Sequence, residues 1–546
     1  MRKLITIILL CSSLYAQSVF EPETSTIYDY LHRLSIKGII EFNDEIKPVP
    51  RMLLAQKLEE LNHHQSELTE IEKDELSFYK KEFFPELDLI KKDTTQFIKD
   101  KIVLLNFSQS AGFRVFLYHD KDFTLNFDPV LGLSFKSAYN ETQRHRWNGV
   151  GAYGYYKKAL GFSLYIKDNE EQGFFIDRTK SFTPETGINL SKETENTIEY
   201  AEVHGTVSFG WDWGALSFGK DFFQLGSGRA GQIILSDKAP SFPFIRLDFH
   251  PVPWFSFFYF HGWLYSNLLD SSSIRYTPVP GRLNLYQIEK YIAAHIISFY
   301  PLENLSLSLG ESMVYSDKIE YLYLIPVMFF RLADHYLAKK DVNSGDNAQL
   351  FMNAAYKNYQ FKTKLYGTLF IDELSVSDIL EGGNLSAIAF TAGINIVDPG
   401  ISDLEFVFEY TRLNPFVYMN SNNAQLFTSH GYPLGHWIGS NADQFYFSLN
   451  KKILRGLSLK ISGEYIRKGE QELPIQQYQL PYPEFLFGSR KNQESGSAEL
   501  SYEIFHQLFG KIFYEYSYIT DEEPLRTPDY MIGVNHSFGI SIAYGL

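Results

Sequence analysis

Aromatic and polar side chains are closely interleaved between residues 412 and 443 of this 546-residue chain. Sugar rings have C–H faces that stack on aromatic rings, and their hydroxyl groups need planar polar hydrogen-bonding partners. The spacing therefore predicts a non-covalent binding surface whose chemistry suits carbohydrate. The sequence leaves a second interpretation equally open, in which these rings form a membrane-interface belt or pack between loops. The candidate residues are Arg412, Asn414, Tyr418, Tyr432, His436, Trp437, Asn441 and Asp443.

Motifs that would carry catalysis or hold a cofactor are weak. The segment GSGRAG at 226–231 fits G-x-G-x-x-G, but no βαβ pattern surrounds it, so a flexible turn is favoured over a dinucleotide site. The segment DVNSGDN at 341–347 lacks the spacing and the closing glutamate of a calcium loop, which favours a polar turn. No H-E-x-x-H or G-x-S-x-G occurs. The sequence therefore predicts a protein that is not an enzyme and needs no cofactor or metal.

The first sixteen residues have the pattern of a secretory signal peptide. Arg2 and Lys3 precede an apolar run that is too short to span a membrane, and Ala16 fits a cleavage position. Cleavage there would remove Cys11, the one cysteine of the sequence, and would lower the formal net charge from −15 to −17. An acidic mature chain disfavours nucleic acid as a partner. We expect Sec-dependent export in a Gram-negative bacterium.

Bulky apolar residues alternate with small or polar ones repeatedly from about residue 112 to the C-terminus. In the closing segment 530–546, Val534, Phe538, Ile540 and Ile542 share one face, and mainly glycine, serine and asparagine share the other. Strict alternation predicts strands. Aromatic residues make up 16% of the chain, yet no stretch after the leader approaches the ~20 apolar residues of a membrane helix. The pattern therefore favours strands whose apolar face contacts lipid.

Short and long links alternate between the predicted strands. This spacing predicts an all-β, antiparallel transmembrane barrel of about eighteen strands over residues 101–546, with long extracellular loops. An even number is expected because the N-terminal region and the C-terminus would both lie in the periplasm. The final strand would close the barrel onto the first. Short links are expected near 251–253, 301–303, 399–403, 451–456 and 506–510, and long links near 168–195, 221–242, 266–288, 316–346, 372–384, 413–442, 468–496 and 521–528.

Charged residues on the non-apolar faces of two predicted strands are expected to face the lumen. They are Glu405, Glu409, Lys460 and Glu464. In a porin, such charges would line an open path for small solutes or sugars. They could equally pair with one another and make the wall rigid.

Residues 17–100 differ from the rest and are predicted to form a small helical bundle. Ile27, Leu31 and Leu34 have helical spacing before Gly38, and a second helix is expected after Pro50. A third helix would begin at a capping box, with a threonine followed three residues later by a glutamate at 69–72. The bundle would either hang in the periplasm or plug the barrel.

Three segments make the chain resemble the Wzi-type capsule assembly family of outer-membrane proteins. They are FGKDFFQLGSGRAGQIILSDKAPSFPFIRL (218–247), GESMVYS (310–316), and EYTRLNP with YPLGHWIGSNADQ (409–444). The resemblance implies an eighteen-stranded barrel whose periplasmic end is obstructed by a helical bundle. It also implies non-enzymatic, lectin-like capture of exported capsular polysaccharide or exopolysaccharide at the cell surface. A porin remains the alternative.

Other partners are expected from the predicted location. A barrel in the outer membrane would be surrounded by lipid and lipopolysaccharide. The closing segment also resembles the C-terminal signal that the barrel-assembly machinery recognises, although it ends in Leu546 where an aromatic residue is usual. We expect a monomer.

Overall fold

The computed structural model describes most of the chain beyond the predicted leader. The leader and the first four residues of DVNSGDN, which carry two of the predictions, lie outside the described residues. The described residues are 19–90, 101–108, 112–120, 122–157, 159–276, 283–340, 345–374, 386–471, 473, 476, 482–523 and 526–545.

Eighteen antiparallel strands form a closed barrel, which confirms the predicted fold class and strand number. The first nine are β1 (Phe123–Ala138), β2 (Glu141–Tyr156), β3 (Leu160–Gln172), β4 (Thr197–Trp211), β5 (Gly214–Asp221), β6 (Phe242–Val252), β7 (Phe255–Leu269), β8 (Gln287–Leu302) and β9 (Leu305–Ser316). The others are β10 (Asn347–Asn358), β11 (Thr363–Leu374), β12 (Ser386–Val397), β13 (Leu404–Leu413), β14 (Ala442–Leu454), β15 (Leu457–Lys468), β16 (Lys491–Phe505), β17 (Leu508–Asp521) and β18 (Gly533–Tyr544).

The last strand closes the barrel by pairing with the first. Residues 537–544 of β18 lie in register with residues 131–138 of β1. Along β18, Phe538 is 61% exposed, whereas the neighbouring Ser537 is 7% exposed and faces the lumen. The alternation in the sequence therefore separates an apolar outer face from an inner face of small and polar side chains, as a lipid-facing barrel requires.

The two ends of the barrel differ in the length of their links. At one end, here called the turn end, the links are short, as at 253–254, 303–304, 455–456 and 506–507. At the other, the loop end, the links are long, apart from the two-residue turn between β1 and β2. Long links predicted near 221–242, 316–346 and 413–442 occupy 222–241, 317–346 and 414–441. A hairpin of Lys101–Ser108 and Gly112–His119 pairs with the first residues of β1 at the turn end.

The N-terminal region is helical. Thr69 caps the helix that begins at Glu70 through a capping box with Glu72, as predicted, and Gly38 takes a left-handed φ of +77° just beyond the first helix. None of the helices in the described part of the chain is long and apolar enough to cross a bilayer. The helices are α1 (Ile27–Ile36), α2 (Arg51–Glu60), a 3₁₀ helix (Leu61–Glu67), α3 (Glu70–Glu82) and α4 (Phe84–Ile90), with α5 (Phe330–Lys340) in the link between β9 and β10.

The N-terminal helices lie inside the turn end of the barrel and contact strands on many sides of it. On β10, Lys357 donates to the Phe42 carbonyl at 2.6 Å, and on β2 the hydroxyl of Tyr155 donates to a carboxylate of α4 at 2.8 Å. On β6, Arg246 donates to the Pro48 carbonyl at 3.0 Å. Because these strands are spread around the wall, the bundle fills the turn end of the lumen.

Candidate functional site

Two long links fold back into the loop end of the barrel. We call residues 222–241 the first inward link and residues 414–441 the second inward link. Their backbones hydrogen-bond directly, with the Ser236 amide donating to the Leu434 carbonyl at 2.7 Å. Apolar side chains of both links share one buried cluster with phenylalanines of the wall. The two links therefore form a single packed layer across the mouth.

The inward links also meet the N-terminal region within the lumen. Residues 46–47 pair with residues 224–225 as a short antiparallel ladder. Next to this ladder, the Gly226 amide donates to the Glu45 carbonyl at 2.9 Å. Segments that enter the lumen from opposite ends of the barrel are thus joined by backbone hydrogen bonds.

Tyr418 and Tyr432, two of the predicted carbohydrate-binding residues, lie buried within this layer. The Tyr418 hydroxyl donates to the Ile233 carbonyl at 2.6 Å and accepts from the His436 amide at 3.0 Å. The Tyr432 hydroxyl donates to the Thr179 carbonyl at 2.6 Å. Both hydroxyl groups are already used by protein partners, so the two tyrosines hold the links in place.

His436 and Trp437 connect the two inward links. The Trp437 indole N–H donates to the Ala230 carbonyl at 3.0 Å. His436 is fully buried, and burial lowers its imidazole pKa to about 3, so the ring is neutral at physiological pH. A Cβ placed on Gly231 would meet the His436 ring at 2.6 Å. Only glycine at that position permits the close approach of the first inward link.

Asn414 and Asn441 act at the edges of the second inward link. Asn414 accepts a hydrogen bond from the Arg412 side chain at 2.9 Å. Asn441 is buried, accepts from the Leu486 amide at 2.7 Å and donates to the Glu470 carbonyl at 3.0 Å. These contacts fix where the link leaves the wall.

Arg412 and Asp443 lie opposite each other on β13 and β14, on the outer face near the loop end. Asp443 accepts from the Arg467 guanidinium at 2.9 Å and from the Tyr410 hydroxyl at 3.1 Å. The Arg412 guanidinium stacks 3.7 Å from the centre of the Phe485 ring. The pair therefore lies on the outer face of the wall and is joined to the six residues of the mouth through the hydrogen bond from Arg412 to Asn414.

The charged residues predicted for the lumen do lie on its wall, and most have protein partners. Glu409 is the most heavily used, because it accepts from the Arg229 amide at 2.7 Å, the Ala230 amide at 3.0 Å and the Tyr366 hydroxyl at 2.7 Å. A wall carboxylate therefore holds the backbone of the GSGRAG segment across the lumen.

The other lumen carboxylates are also paired. Glu405 accepts from the Asn395 amide group at 2.7 Å, and Glu464 accepts from the side chains of Gln444 and Ser495, both at 2.7 Å. These partners are neutral side chains and not other members of the predicted set, so the mutual pairing expected from the sequence stays a prediction.

A polar cavity of about 330 Å³ remains between α1, the first inward link and the wall. Such a volume is at the lower limit of small-ligand pockets. Across it, the Arg229 guanidinium donates to Asp29 of α1 at 2.9 Å. Burial alone would raise the pKa of the Asp29 carboxyl, but Arg229 holds it well below its usual range. The lining includes Asp29, Arg229, Glu405, Trp437, Tyr446 and Lys460.

Sequence reasoning missed Asp29, Arg229 and Tyr446 in this cavity. Arg229 lies within GSGRAG, so the glycines were a usable signal of close backbone approach, although not to a nucleotide. Asp29 and Tyr446 belong to an ordinary helix and an ordinary strand, and nothing in their local sequence sets them apart. Within the described residues, no cluster of histidine, cysteine, aspartate or glutamate could hold a metal ion.

Comparison with solved structures gives a fold match along nearly the whole chain. The structure of Wzi, an outer membrane protein of Escherichia coli involved in group 1 capsule assembly and a carbohydrate-binding β-barrel, matches with a TM-score of 0.55 and 12% identity. The match covers 97% of this chain and 100% of that one.

Other solved structures match more weakly. OprD of Pseudomonas aeruginosa has a TM-score of 0.40 and 11% identity, covering 77% of this chain and 95% of that one. OccAB2 of Acinetobacter baumannii has a TM-score of 0.42 and 13% identity, covering 77% and 97%. No curated protein sequence matches the chain.

The comparison with protein families is more specific than the comparison of folds. The model of the capsule assembly protein Wzi family matches residues 159–523, about two thirds of the sequence. The matched region contains both inward links, the lumen glutamates and the strands that carry them. The chain belongs to the capsule assembly protein Wzi family.

Proposed function

We propose that this protein binds exported capsular polysaccharide or exopolysaccharide at the cell surface and retains it there without chemical modification. The family is one of capsule assembly proteins, and the E. coli relative with the same fold is a carbohydrate-binding barrel. Together with the closed barrel, the family makes this an outer-membrane protein. Its turn end would then face the periplasm and its loop end the cell exterior.

The observation that carries the proposal is the obstruction of the lumen from both ends. The helical bundle contacts the wall at the turn end, the inward links cover the mouth, and the two meet at residues 46–47 and 224–225. A polymer arriving from outside would meet a packed surface at the loop end. This arrangement supports attachment and disfavours the alternative of a porin, which needs a continuous open path.

The mouth is the part of the molecule that we assign to polysaccharide. Tyr418, Tyr432 and Asn441 hold the second inward link in one conformation, and a preorganised surface costs less entropy on binding than a mobile one. His436 and Trp437 join this link to the first. We infer that these residues support binding chiefly by fixing the shape of the mouth, with Trp437 also lining the cavity beneath it.

Cells that lack the protein provide the primary test. Surface polysaccharide would be compared between cells with and without it, after washing, at equal total polysaccharide production. We expect the cells without it to release polysaccharide that the complemented cells retain. Equal retention would overturn the proposed function.

Two variants then test the site. Trp437→Ala and His436→Ala are each expected to reduce retained surface polysaccharide. Lys136→Ala serves as the control, because Lys136 on β1 forms a half-exposed ion pair with Glu515 on β17. Barrel assembly would be checked by the difference in gel migration between boiled and unboiled samples. Unchanged retention in both variants, with normal assembly, would count against this site.

The remaining parts of the proposal follow from the predicted leader and from the barrel itself. They are export through the Sec pathway, insertion by the barrel-assembly machinery, and function as a monomer surrounded by lipid and lipopolysaccharide. Absence of catalysis is also part of the proposal, because every step that it requires is binding.

A further inference from the structure

The long link between β9 and β10 leaves the loop end in the opposite direction to the inward links. We call residues 317–340 the outer segment. On β9, the outward side chains begin with Leu307 and Leu309, which are exposed as expected for a lipid-facing strand. Met313 and Tyr315 continue the same face but are completely buried. They are buried because the outer segment covers the outside of the barrel there.

Aromatic contacts attach the outer segment to the wall. The ring of Tyr323 lies 4.9 Å from that of Tyr315, and the ring of Phe330, the first residue of α5, lies 4.7 Å from the imidazole of His295 on β8. Ala333, one turn further along α5, belongs to the same buried cluster. The helix thus places one apolar face against the barrel, with the three-residue spacing expected of a helix face.

Polar groups on the outer face explain why this part of the wall needs a cover. Glu311 points outward from β9, accepts from the backbone amides of Phe330 and Arg331, and lies 3.3 Å from the imidazole of His295. The Tyr259 hydroxyl donates to the Tyr323 carbonyl at 2.9 Å. Lipid offers no hydrogen bonds, so a bare carboxylate at this position would be costly. The outer segment supplies the missing partners.

Strand register gives the height of these contacts. Glu311 pairs across the sheet with His295, and the next outward-facing pair towards the turn end is Leu309 with Ile297. Leu309 is 51% exposed, and Met352, its neighbour on β10, is 50% exposed. Phe330 therefore lies only one row above side chains that belong to the lipid-facing belt.

The outer segment itself exposes large apolar side chains away from the barrel. Val327 is 82% exposed and Leu332 is 67% exposed, and Tyr321, Phe329 and Tyr336 are also exposed. Monomeric soluble surfaces rarely present so many large apolar side chains together. Here the patch continues the exposed belt of β9 and β10 outward, at nearly the same height.

We propose that the outer segment lies within the outer leaflet of the membrane and that its exposed apolar side chains bind lipid acyl chains. The segment is then a lipid-contacting surface outside the barrel wall. Glu311 anchors it by accepting the first amides of α5. Continuity with the lipid-facing belt selects lipid over water or a partner protein.

Nitroxide labels at single introduced cysteines test this assignment without any polysaccharide. The background is the full-length chain carrying Cys11→Ser, reconstituted in phospholipid vesicles. Val327→Cys and Leu332→Cys are the test positions. Leu309→Cys is the control for lipid, and Ser421→Cys, at an exposed position of the second inward link, is the control for water.

The location of each label is given by its collision rates with two reagents. Oxygen concentrates in lipid, and a neutral nickel chelate stays in water. We expect the labels at Val327 and Leu332 to match Leu309, with oxygen collisions exceeding nickel collisions by several fold, and Ser421 to show the reverse. Nickel collisions as frequent as at Ser421 would overturn the proposal. Shielding from both reagents that occurs only in native outer membranes would indicate a protein partner and would overturn it as well.

Discussion

The inward links and the outer segment both leave the loop end as long, aromatic-rich connections, yet they cover opposite faces of the same wall. The first inward link and the outer segment are each held by one wall glutamate that accepts hydrogen bonds from two consecutive backbone amides. Glu409 on β13 faces the lumen and holds residues 229–230, whereas Glu311 on β9 faces outward and holds residues 330–331. Each of these two links therefore folds towards the face of the wall on which the buried carboxylate lies.

The two sites differ in the hydrogen-bonding partners that the freed backbone amides could find if the carboxylate were removed. Glu409 is buried and also accepts from the Tyr366 hydroxyl, so its removal would leave three donors without their present acceptor. The outer segment can rise towards the headgroups, where its amides would regain hydrogen bonds from water. Removing the same carboxylate should therefore cost more inside the barrel than outside it.

The largest effect is expected for Glu409→Ala. It leaves two backbone amides and one hydroxyl without their acceptor, and each buried unsatisfied group costs about 1–3 kcal/mol. We expect the free energy of unfolding to fall by about 3 kcal/mol or more, measured by urea titration with heat-modifiable gel migration. Trypsin should also begin to cleave after Arg229. Glu409→Gln keeps one acceptor oxygen and should lose less than half as much; an equal loss would contradict the hydrogen-bond account.

Protonation of His436 should give the next largest decrease in the free energy of unfolding. Its folded pKa of about 3 lies below the unfolded value of about 6.5, so below pH 6.5 the unfolded chain binds more protons than the folded chain. Stability is therefore complete above pH 6.5 and is lost as the pH falls towards 3.

The change between pH 7.5 and pH 5 measures this contribution. It should reach about 2 kcal/mol from this group, at roughly 1.4 kcal/mol per pH unit. His436→Asn, which cannot take up the proton, should remove that part of the acid sensitivity in the same urea titration. A variant as acid-sensitive as the parent would show that His436 is not buried in the neutral form.

Glu311→Ala is expected to cost about 1–2 kcal/mol, less than the lumen substitution, because the freed amides of α5 can reach interfacial water. The nitroxide label at Val327 should become more mobile at the same time. Glu311→Gln serves as the matched control. If Glu311→Ala lost as much unfolding free energy as Glu409→Ala and the label at Val327 kept its mobility, the expected difference in cost between the two faces would be contradicted.

Lys136→Ala should have the smallest effect. Both side chains of its ion pair with Glu515 are half-exposed, and exposed ion pairs contribute roughly 0–1 kcal/mol to stability. We expect a change in unfolding free energy below about 0.5 kcal/mol by the same titration. A loss above 1 kcal/mol would show that exposed pairs, and not only buried carboxylates, determine the stability of this barrel.

The wall and the helices could be predicted from the sequence because their signals are local. Alternation in 530–546 identifies β18, the Thr69–Glu72 spacing identifies the start of α3, and link lengths follow from the gaps between alternating segments. The direction of a link is not local. One signal was nevertheless present: Leu305, Leu307 and Leu309 lead to Glu311 on the same apolar face, which indicates that this face is covered.

The candidate site could be predicted only in part. The residues between 412 and 443 were identified as a set, but Tyr418 and Trp437 contact carbonyls near residue 230, which lie 185 and 207 positions away. Asp29 reaches the same cavity from the N-terminal helices. Contacts of such sequence separation are determined by closure of the barrel, and single-sequence patterns do not contain them.

Single-channel recording of the purified intact protein in planar bilayers tests most directly whether the lumen is closed. A closed lumen predicts no steady conductance from the full chain. Deletion of residues 18–98 should then produce openings, provided that the shortened barrel still shows heat-modifiable migration. A steady, large conductance from the intact chain would contradict a barrel closed for attachment and would favour solute transport.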